Sequence, residues 1–359
     1  MWRSDFSHKE ILDKAINRER IYPDEAISLF EMPDILALGN SAFELARRNS
    51  SDYIVTYIID RNINYSNICI SRCRFCAFWR DKEDHDAYLL TFEDISEKIK
   101  ETLSLGGRQI LMQGGLHPDL KIDFYETLLR YIKSNYDIHI HAFSPPEILH
   151  IAKISGISLK EVLIRLKDAG LGSIPGGGAE ILVDKIRESI SPNKCSANEW
   201  LMVMEIAHQM GIRSTATMMF GHIESIRDRV THLIRLRELQ DRTGGFTAFI
   251  PWSFQPQNTA IGGDPSTGLD YLRTLSVSRI VLDNFDNIQV SWVTQGPKIA
   301  QIALLFGAND MGSTMIEENV VRAAGVSYRI SEEDIRRLIK EMGFSPHRRD
   351  VFYHLISDI

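Results

Sequence analysis

The sequence is short of several features, and each shortage excludes a class of protein. Only four of the 359 residues are cysteine, too few for a secreted domain held together by disulfides. No apolar run is long enough to cross a bilayer, and the first residues contain no apolar signal core. There is no block of like charge, and the net charge of −7 argues against nucleic-acid binding. We therefore expect a cytoplasmic protein without nucleic-acid or membrane partners.

Three of the four cysteines stand close together. Cys69, Cys73 and Cys76 form a C-x3-C-x2-C spacing, whereas Cys195 stands alone in a polar stretch. Thiolate sulfur favours iron–sulfur clusters, zinc and cuprous copper. Three thiolates can hold three corners of a four-iron cluster and leave one iron open for chemistry, much as a catalytic zinc keeps one open position.

Two other interpretations of these cysteines stay open. A structural zinc site needs a fourth ligand, and His85 lies nine residues past Cys76. Such sites usually pair two C-x2-C knuckles, however, and only one C-x2-C spacing is present here. A disulfide is disfavoured because the crowded cysteines are odd in number and no secretory signal precedes them. An iron–sulfur cluster is the favoured interpretation, with Cys195 a bystander thiol.

Apolar periodicity divides the chain into two parts. Residues 1–60 are predicted to be a helical extension, because apolar residues recur there at three- and four-residue steps. Residues 61–359 alternate short apolar strands with amphipathic helices, which indicates an α/β fold with parallel strands and right-handed crossovers. Polar and glycine-rich clusters follow nearly every strand, so a barrel of six to eight parallel strands fits better than an open sheet. The predicted strands are 63–70, 109–113, 138–143, 173–174, 214–220, 246–250 and 288–293, and the main predicted helices are 24–30, 34–48, 91–105, 123–134, 198–210, 227–240 and 269–282.

Longer motifs add a resemblance to a known family. The cysteine spacing, with Phe75 before the last cysteine, resembles the motif of the radical SAM superfamily. The runs 113–120, 174–180, 217–222 and 244–251 are similar to those of the group that contains the futalosine-pathway menaquinone enzymes and the deazaflavin (FO) synthases. Within that group, the runs 251–259, 291–296 and 307–318 most resemble the dehypoxanthine futalosine cyclases. The resemblance extends from about residue 64 to the C-terminus.

This resemblance implies a radical SAM (β/α) barrel with two cofactors. Cys69, Cys73 and Cys76 would hold a [4Fe–4S] cluster, and S-adenosyl-L-methionine (SAM) would chelate the open iron. Reductive cleavage of SAM would give a 5′-deoxyadenosyl radical that takes a hydrogen from the ribose of dehypoxanthine futalosine. Ring closure onto the benzoate would then form cyclic dehypoxanthine futalosine for menaquinone biosynthesis. The implied partners are this small-molecule substrate and an electron donor such as flavodoxin or ferredoxin.

The resemblance and the residue chemistry together nominate site residues. His141 and His222 are acid–base candidates, because a histidine near a strand end can titrate near neutral pH. Relatives often carry an acid after the glycine pair, but Leu116 stands there in this chain. Arg229 or Lys298 is the candidate cation for the benzoate. The candidates for SAM are Phe75, Phe78, Gly114, Gly115, Ser144, Glu180 and Met218. The candidates for the substrate, chosen for aromatic faces and neutral hydrogen-bonding groups, are Trp252, Gln255, Asn258, Trp292, Thr294, Gln295 and Asn309.

Three rival functions stay open. Aminofutalosine synthase would add the adenosyl radical to an enolpyruvyl benzoate, but the runs 255–256 and 292–295 argue against it. The FO synthase subunit that couples a tyrosine-derived radical to a pyrimidine shares the run 139–144. The third rival is a zinc-binding module with no enzymatic activity.

Overall fold

The structure is a computed structural model, and it describes residues 7–48 and 53–356. The strands are β1 Ile54–Ile58, β2 Asp60–Asn64, β3 Gln109–Gln113, β4 His139–Ala142, β5 Ser214–Phe220, β6 Phe246–Ser253, β7 Asp310–Ser313 and β8 Ser345–Arg348. The helices are α1 His8–Ile16, α2 Pro23–Glu31, α3 Ile35–Arg47, α4 Phe92–Ser104, α5 Ile122–Asn135, α6 Pro145–Ser155, α7 Leu159–Ala169, α8 Asp184–Ile190, α9 Ala197–Gln209, α10 Ile226–Thr243, α11 Gly268–Val281, α12 Trp292–Ala303, α13 Val320–Ala323 and α14 Glu332–Glu341.

The strands form a closed parallel barrel. β1 and β2 are separated only by Ile59 and act as one strand position. β2 pairs with β3, β3 with β4, β5 with β6, and β7 with β1. Single bridges supply two further positions, residues 173–174 between β4 and β5 and residues 288–289 between β6 and β7. The carboxyl ends of these parallel strands meet on one face, which is where barrel enzymes place their working loops.

The C-terminal segment closes the opposite end of the barrel. β8 pairs with β1 in the register Ile54↔Ser345 to Tyr57↔Arg348. Beyond β8, the backbone N–H of Arg349 donates to Tyr57 O at 2.9 Å. Arg349 and Tyr353 then line the same cavity as Gln109, the first residue of β3. We call residues 349–353 the barrel floor.

Helix α4 illustrates how local sequence produces these elements. Thr91 is its N-cap, and its hydroxyl accepts from the backbone N–H of Asp94 at 3.1 Å. The Asp94 carboxylate in turn accepts from the Thr91 N–H at 2.9 Å, which completes a capping box at the start of the helix. Ile95 and Ile99, four residues apart, are fully buried and turn one face of the helix toward the core.

The N-terminal helices pack on the outside of the barrel. α2 packs against α10, and α3 packs against α11. Asp34 caps α3, because its carboxylate accepts from the N–H groups of Leu36 and Ala37 at 3.1 and 3.0 Å. The first barrel strand begins at Ile54, inside the stretch 1–60 that the sequence assigned to the helical extension. The first six residues and residues 49–52 of that stretch lie outside the described residues.

Most predicted elements are present, and the α/β fold with parallel strands is confirmed. The predicted strands 109–113 and 214–220 coincide with β3 and β5, and the predicted helix 227–240 is the centre of α10. The prediction of a strand over 288–293 is wrong in its second half, since α12 begins at Trp292. The apolar run there passes from a strand position directly into a buried helix, which periodicity over six residues cannot separate. Within residues 7–48 and 53–356, no helix combines the length and apolar character that a bilayer crossing requires.

Candidate functional site

The three clustered cysteines lie on the loop that follows β2, at the carboxyl face of the barrel. All three are free thiols, and the Cys76 N–H donates to Cys73 O at 3.1 Å, so the loop turns tightly between them. Two sulfurs have polar neighbours. The Leu116 N–H donates to Cys69 Sγ at 3.2 Å, and the Ser71 hydroxyl lies 3.2 Å from Cys73 Sγ. Hydrogen bonds of this kind tune the potential of sulfur-ligated iron.

This loop is not arranged around a single metal ion. Among the residues that the structure describes, no three His, Cys, Asp or Glu side chains are grouped so that they could hold one ion. The side chain of His85, the fourth ligand of the zinc interpretation, is 97% exposed and lies 4.0 Å from Asp86. A tetrahedral zinc site draws its sulfur and nitrogen ligands to within about 2.3 Å of one ion. The geometry therefore disfavours a mononuclear zinc site.

A half-buried cation, Lys194, stands beside the cysteine loop. Lys194 Nζ lies 3.0 Å from Glu180 Oε1 and 5.1 Å from the centre of the Phe75 ring. Arg187 Nη1 lies 3.4 Å from the other oxygen of Glu180, whose side chain is 4% exposed. Glu180 has a φ of 40°, a left-handed conformation that a non-glycine residue rarely adopts. The predicted SAM residues Phe75 and Glu180 are thus brought together by Lys194.

Burial raises the pKa of two of the clustered cysteine thiols, Cys73 and Cys76. It raises the pKa of Cys76 to about 11, with bonds from the Phe78 backbone opposing the shift. It also raises the pKa of Cys73, against the lowering effect of Lys194. Since thiolate is the form that binds iron, the thiols lose their protons when a metal binds.

A glycine pair and a buried glutamate connect three strand ends. A Cβ on Gly115 would lie 2.1 Å from Ile68 O and 2.7 Å from Cys69 Cβ, so the loop accepts only glycine there. Glu147 Oε1 accepts from the Gly114 N–H at 3.0 Å and from the Tyr65 hydroxyl at 2.9 Å.

The other oxygen of Glu147 accepts from the backbone N–H and the hydroxyl of Ser144, at 2.8 and 2.6 Å. One buried carboxylate therefore ties together the loops after β2, β3 and β4. Sequence analysis did not single out Glu147, although its place three residues after Ser144 matches the capping-box pattern.

Among the cavities that adjoin the loops of the carboxyl face are an outer one and an inner one. One, of about 540 Å³, lies against the cysteine loop and is lined by Cys73, Cys76 and the predicted substrate residue Asn258. The other, of about 280 Å³, lies inside the barrel. It runs from the strand ends to the barrel floor, and Trp252 and Trp292 line it. The Trp292 indole N–H donates to Ser313 O at 2.8 Å, which holds its ring in place.

The inner cavity gathers some of the predicted residues but not others. His141, Trp252, Trp292 and Thr294 line it. Gln255 and Gln295 lie behind it, where both donate to the Ser253 hydroxyl, at 3.0 and 2.5 Å. Gln255 and Gln295 thus stabilise the end of β6.

Other predicted residues lie away from the inner cavity. Asn309 Oδ1 accepts from Arg279 and from the Ile288 N–H, both at 2.8 Å, and so joins two strand positions. The Asn258 side chain donates to Ala323 O at 2.9 Å. Met218 is fully buried and points to the side of β5 opposite Thr217, which lines the cavity.

His222 and the predicted cations are also remote from this cavity. The His222 side chain is fully buried, 3.1 Å from Glu224, and does not line it. Arg229 is taken up by Glu224 at 2.8 Å and Asp270 at 2.7 Å. Lys298 is exposed and does not line the cavity. The ring of Phe78 meets Tyr88 edge-on, with centroids 6.3 Å apart.

His141 is neutral at physiological pH. Burial lowers its pKa to about 3, and its Nδ1 lies 2.7 Å from the Ser173 hydroxyl. No described residue bonds its Nε2, which leaves that nitrogen open toward the cavity that His141 lines. His141 thus offers a neutral hydrogen-bonding atom rather than a group that titrates near pH 7.

Buried histidines make the fold sensitive to acid. Burial also lowers the pKa of His232 to about 3. Between pH 6.5 and 3 the unfolded chain binds protons that the folded chain does not, so stability falls as the pH drops through that range. Each such histidine lowers the free energy of unfolding by on the order of 2 kcal/mol at pH 5.

We expect His232→Gln to flatten the change in urea midpoint between pH 7 and pH 5. His85→Gln, at an exposed site, should leave it as in the wild type, and an unchanged slope in His232→Gln would contradict the assignment.

Comparisons with known proteins place the chain in a family. The radical SAM superfamily model matches residues 63–236, and the CofH/MqnC C-terminal region model matches residues 243–358. A cyclic dehypoxanthine futalosine synthase from Halalkalibacterium halodurans is 44% identical over 96% of this chain and 94% of that protein. The chain belongs to the radical SAM superfamily. A 5-amino-6-(D-ribitylamino)uracil–L-tyrosine 4-hydroxyphenyl transferase from Methanothermobacter thermautotrophicus is 43% identical over 98% of each chain.

A solved structure supports the same fold for this radical SAM enzyme. The FeFe-hydrogenase maturase HydG from Carboxydothermus hydrogenoformans superposes with a TM-score of 0.75, covering 96% of this chain and 80% of that one. Its sequence identity of 17% makes it evidence for the fold alone. The predicted radical SAM barrel is therefore confirmed.

The cysteine loop fits the [4Fe–4S] cluster and SAM that radical SAM enzymes use. The three free thiols stand on one loop. The Leu116 N–H donates to Cys69 Sγ, and the Ser71 hydroxyl lies within hydrogen-bond distance of Cys73 Sγ. Gly115, which has no side chain, packs against the backbone of Ile68 and Cβ of Cys69. Cys69, Cys73 and Cys76 would hold the cluster there, with its fourth iron left for SAM.

Gly115→Ala should damage the cluster without removing a ligand. The added methyl group would meet Ile68 O and Cys69 Cβ below any tolerable distance, so the cysteine loop must move. We expect purified Gly115→Ala to hold less than about half of the wild-type iron, since a displaced ligand loop weakens metal binding. Gly343→Ala is the control for a general loss of stability. Its φ of 79° makes the substitution strained, but nothing lies within 4 Å of its added Cβ and it is not part of the cysteine loop, so it should keep wild-type iron. Equal iron in Gly115→Ala and wild type would contradict this packing.

Proposed function

We propose that this radical SAM enzyme converts dehypoxanthine futalosine into cyclic dehypoxanthine futalosine. The observation that carries the proposal is the 44% identity to a cyclic dehypoxanthine futalosine synthase across nearly the whole of both chains. A second such synthase, from Streptomyces coelicolor, is 42% identical over 96% of this chain. The cofactors, when bound, supply the 5′-deoxyadenosyl radical that takes a hydrogen from the substrate ribose.

The residues of the inner cavity suit the remaining tasks. Trp252 and Trp292 offer flat apolar faces to the aromatic ring of the substrate. Thr294, whose hydroxyl lies 2.9 Å from that of Ser291, adds a neutral polar group. Neutral His141 presents Nε2 to the cavity that it lines, while its Nδ1 lies 2.7 Å from the Ser173 hydroxyl. After the hydrogen transfer, ring closure releases one proton to water and one electron, which the oxidised electron carrier can take back. We assign to His141 Nε2 a hydrogen bond to the substrate rather than the acceptance of that proton.

An anaerobic assay tests this function. The reconstituted enzyme is mixed with SAM, dithionite and dehypoxanthine futalosine, and the products are analysed by mass spectrometry. We expect 5′-deoxyadenosine together with a product lighter than the substrate by the two hydrogen atoms that ring closure removes. 5′-Deoxyadenosine without a cyclised product would keep the radical chemistry and reject this substrate.

A second candidate function is the coupling of tyrosine to 5-amino-6-(D-ribitylamino)uracil. It is favoured by the relative named for that reaction, which is 43% identical over 98% of this chain. The same assay, supplied with these two compounds instead, distinguishes the functions by product mass. An adduct containing the 4-hydroxyphenyl group would establish the transferase.

The physiological electron donor is also part of the proposal. We infer a small reductant such as flavodoxin or ferredoxin, because reductive cleavage of SAM consumes one electron that dithionite replaces in the assay. Reduced flavodoxin or ferredoxin should support 5′-deoxyadenosine formation when dithionite is omitted. Failure of both proteins would reject this class of donor.

A further inference from the structure

Two amide side chains stand on the wall of the inner cavity in an enforced orientation. Asn62 on β2 and Gln109 on β3 both line the cavity and are 5% and 6% exposed. Asn62 Nδ2 donates to Glu318 Oε2 at 3.0 Å, and Gln109 Nε2 donates to Asp60 Oδ2 at 2.9 Å. Because the carboxylates of Glu318 and Asp60 take the amide N–H groups, each amide carbonyl is turned away from them.

The amide carbonyl oxygens have no partner of their own. Asn62 Oδ1 and Gln109 Oε1 are buried and accept no hydrogen bond from any residue that the structure describes. The Tyr353 hydroxyl, on the barrel floor, is likewise buried and unpartnered, and Tyr353 lines the same cavity. A buried polar atom left unpaired is costly, and native proteins keep few of them. Three such atoms around one cavity point to a ligand that supplies the missing hydrogen-bond partners.

The charge of this wall restricts what that ligand can be. Among the described residues that line the cavity, Arg349 is the only lysine or arginine. Its guanidinium donates to both oxygens of Asp310, at 2.5 and 2.9 Å, and to Asp350 O at 3.0 Å. No cation is therefore left for an anionic group. The wall suits a neutral group that carries several hydrogen-bond donors.

We propose that Asn62, Gln109 and Tyr353 bind the sugar hydroxyl groups of the substrate. This inference rests on the proposed function, in which the substrate carries a ribose. Hydroxyl groups are neutral and can donate to the two amide oxygens while exchanging a hydrogen bond with the phenol. Asp60 and Glu318 are positioning residues. They accept hydrogen bonds from the amide N–H groups and so keep the amide oxygens free for the substrate.

Anaerobic calorimetry tests the inference on the enzyme loaded with cluster and SAM and given no reductant, so that binding is measured without turnover. The ligands are dehypoxanthine futalosine and its 2′-deoxy and 3′-deoxy analogues. The variants are Asn62→Leu, Gln109→Leu and the milder Tyr353→Phe, which keeps the ring and removes one oxygen. We expect each variant to bind the parent compound about 10-fold more weakly, the usual effect of one lost hydrogen bond in a buried site.

The decisive readout is the coupling between variant and analogue. Wild type should bind each deoxy analogue about 10-fold more weakly than the parent compound. At least one variant should bind the parent compound and one deoxy analogue equally, because that analogue lacks the hydroxyl that the substituted residue contacts. Asn284→Leu is the control, because Asn284 Oδ1 is also buried and unpartnered but does not line the cavity. It should bind every ligand as wild type does.

The failure of this inference is distinguishable from failure of the proposed function. The sugar contact is overturned if all three variants bind the parent compound as tightly as wild type does. It is also overturned if removing a hydroxyl from the ligand weakens binding by the same factor in the variants as in wild type. Either result leaves the proposed function standing. If wild type binds 5-amino-6-(D-ribitylamino)uracil and not dehypoxanthine futalosine, the function is rejected. The ribityl chain then replaces ribose in the same variant series, and undiminished binding there overturns the contact.

Discussion

Cys73→Ala will leave the protein without a stable cluster and without detectable turnover. Two thiolates remain on the loop, and the [4Fe–4S] cluster of radical SAM enzymes needs three from the protein. Cys195 cannot replace the lost ligand, because its carbonyl accepts from Arg187 at 2.7 Å and its Sγ lies 3.6 Å from the same guanidinium. Iron and sulfide analysis after anaerobic reconstitution, with 5′-deoxyadenosine formation as the activity readout, will measure the loss.

Cys195→Ala is the matched control for this experiment. It removes a cysteine that is also largely buried, and burial raises the pKa of its thiol to about 11, as it does for Cys76. We expect Cys195→Ala to keep wild-type iron and activity. Full iron content and turnover in Cys73→Ala would contradict the assignment of the loop as the cluster site.

Much of the barrel was predictable because, along most of the chain, the local sequence favours the same helix or strand that the tertiary structure contains. β3 and β5 are short apolar segments between clear helix signals, so their bounds follow from the sequence alone. β1 was missed because it follows a helix-rich stretch and carries only five residues, Ile-Val-Thr-Tyr-Ile. Its β-branched and aromatic content is the available signal. β8 was missed because its pairing with β1, nearly three hundred residues earlier, leaves no local trace.

Candidate site residues could be identified from the sequence where the spacing of a few neighbouring residues indicates their role. The cysteine trio and the glycine pair are of this kind. Asn62 and Gln109 are different, since each is a single polar residue in a strand, and only the closed barrel brings them to one wall. Asn309 and His222 are polar residues near strand ends, which suggested binding. In the structure their side chains bond neighbouring backbone, at the Ile288 N–H and the Met219 carbonyl.

Arg349→Met will destabilise the protein by about 3–5 kcal/mol, the usual effect of removing one partner of a buried ion pair. The side chains of Arg349 and Asp310 are 4% and 0% exposed. Asp310 also accepts from the Thr56 hydroxyl at 2.5 Å and from the Gly312 N–H at 2.9 Å. Those two donors remain in the variant, but the carboxylate loses the only cation beside it among the described residues. The guanidinium also stacks 3.8 Å from the centre of the Tyr353 ring, so the barrel floor loses packing as well.

Urea unfolding of three variants separates burial from charge pairing as the cause. Arg20 bonds Asp241 and Asp283 at 2.7 and 3.0 Å but is 42% exposed, so Arg20→Met should cost less than about 1 kcal/mol. Arg349→Met combined with Asp310→Leu should recover part of the loss, because no unpaired charge is then buried. Two results would contradict this explanation. One is an equal loss of unfolding free energy in Arg349→Met and Arg20→Met, and the other is no recovery in the double variant.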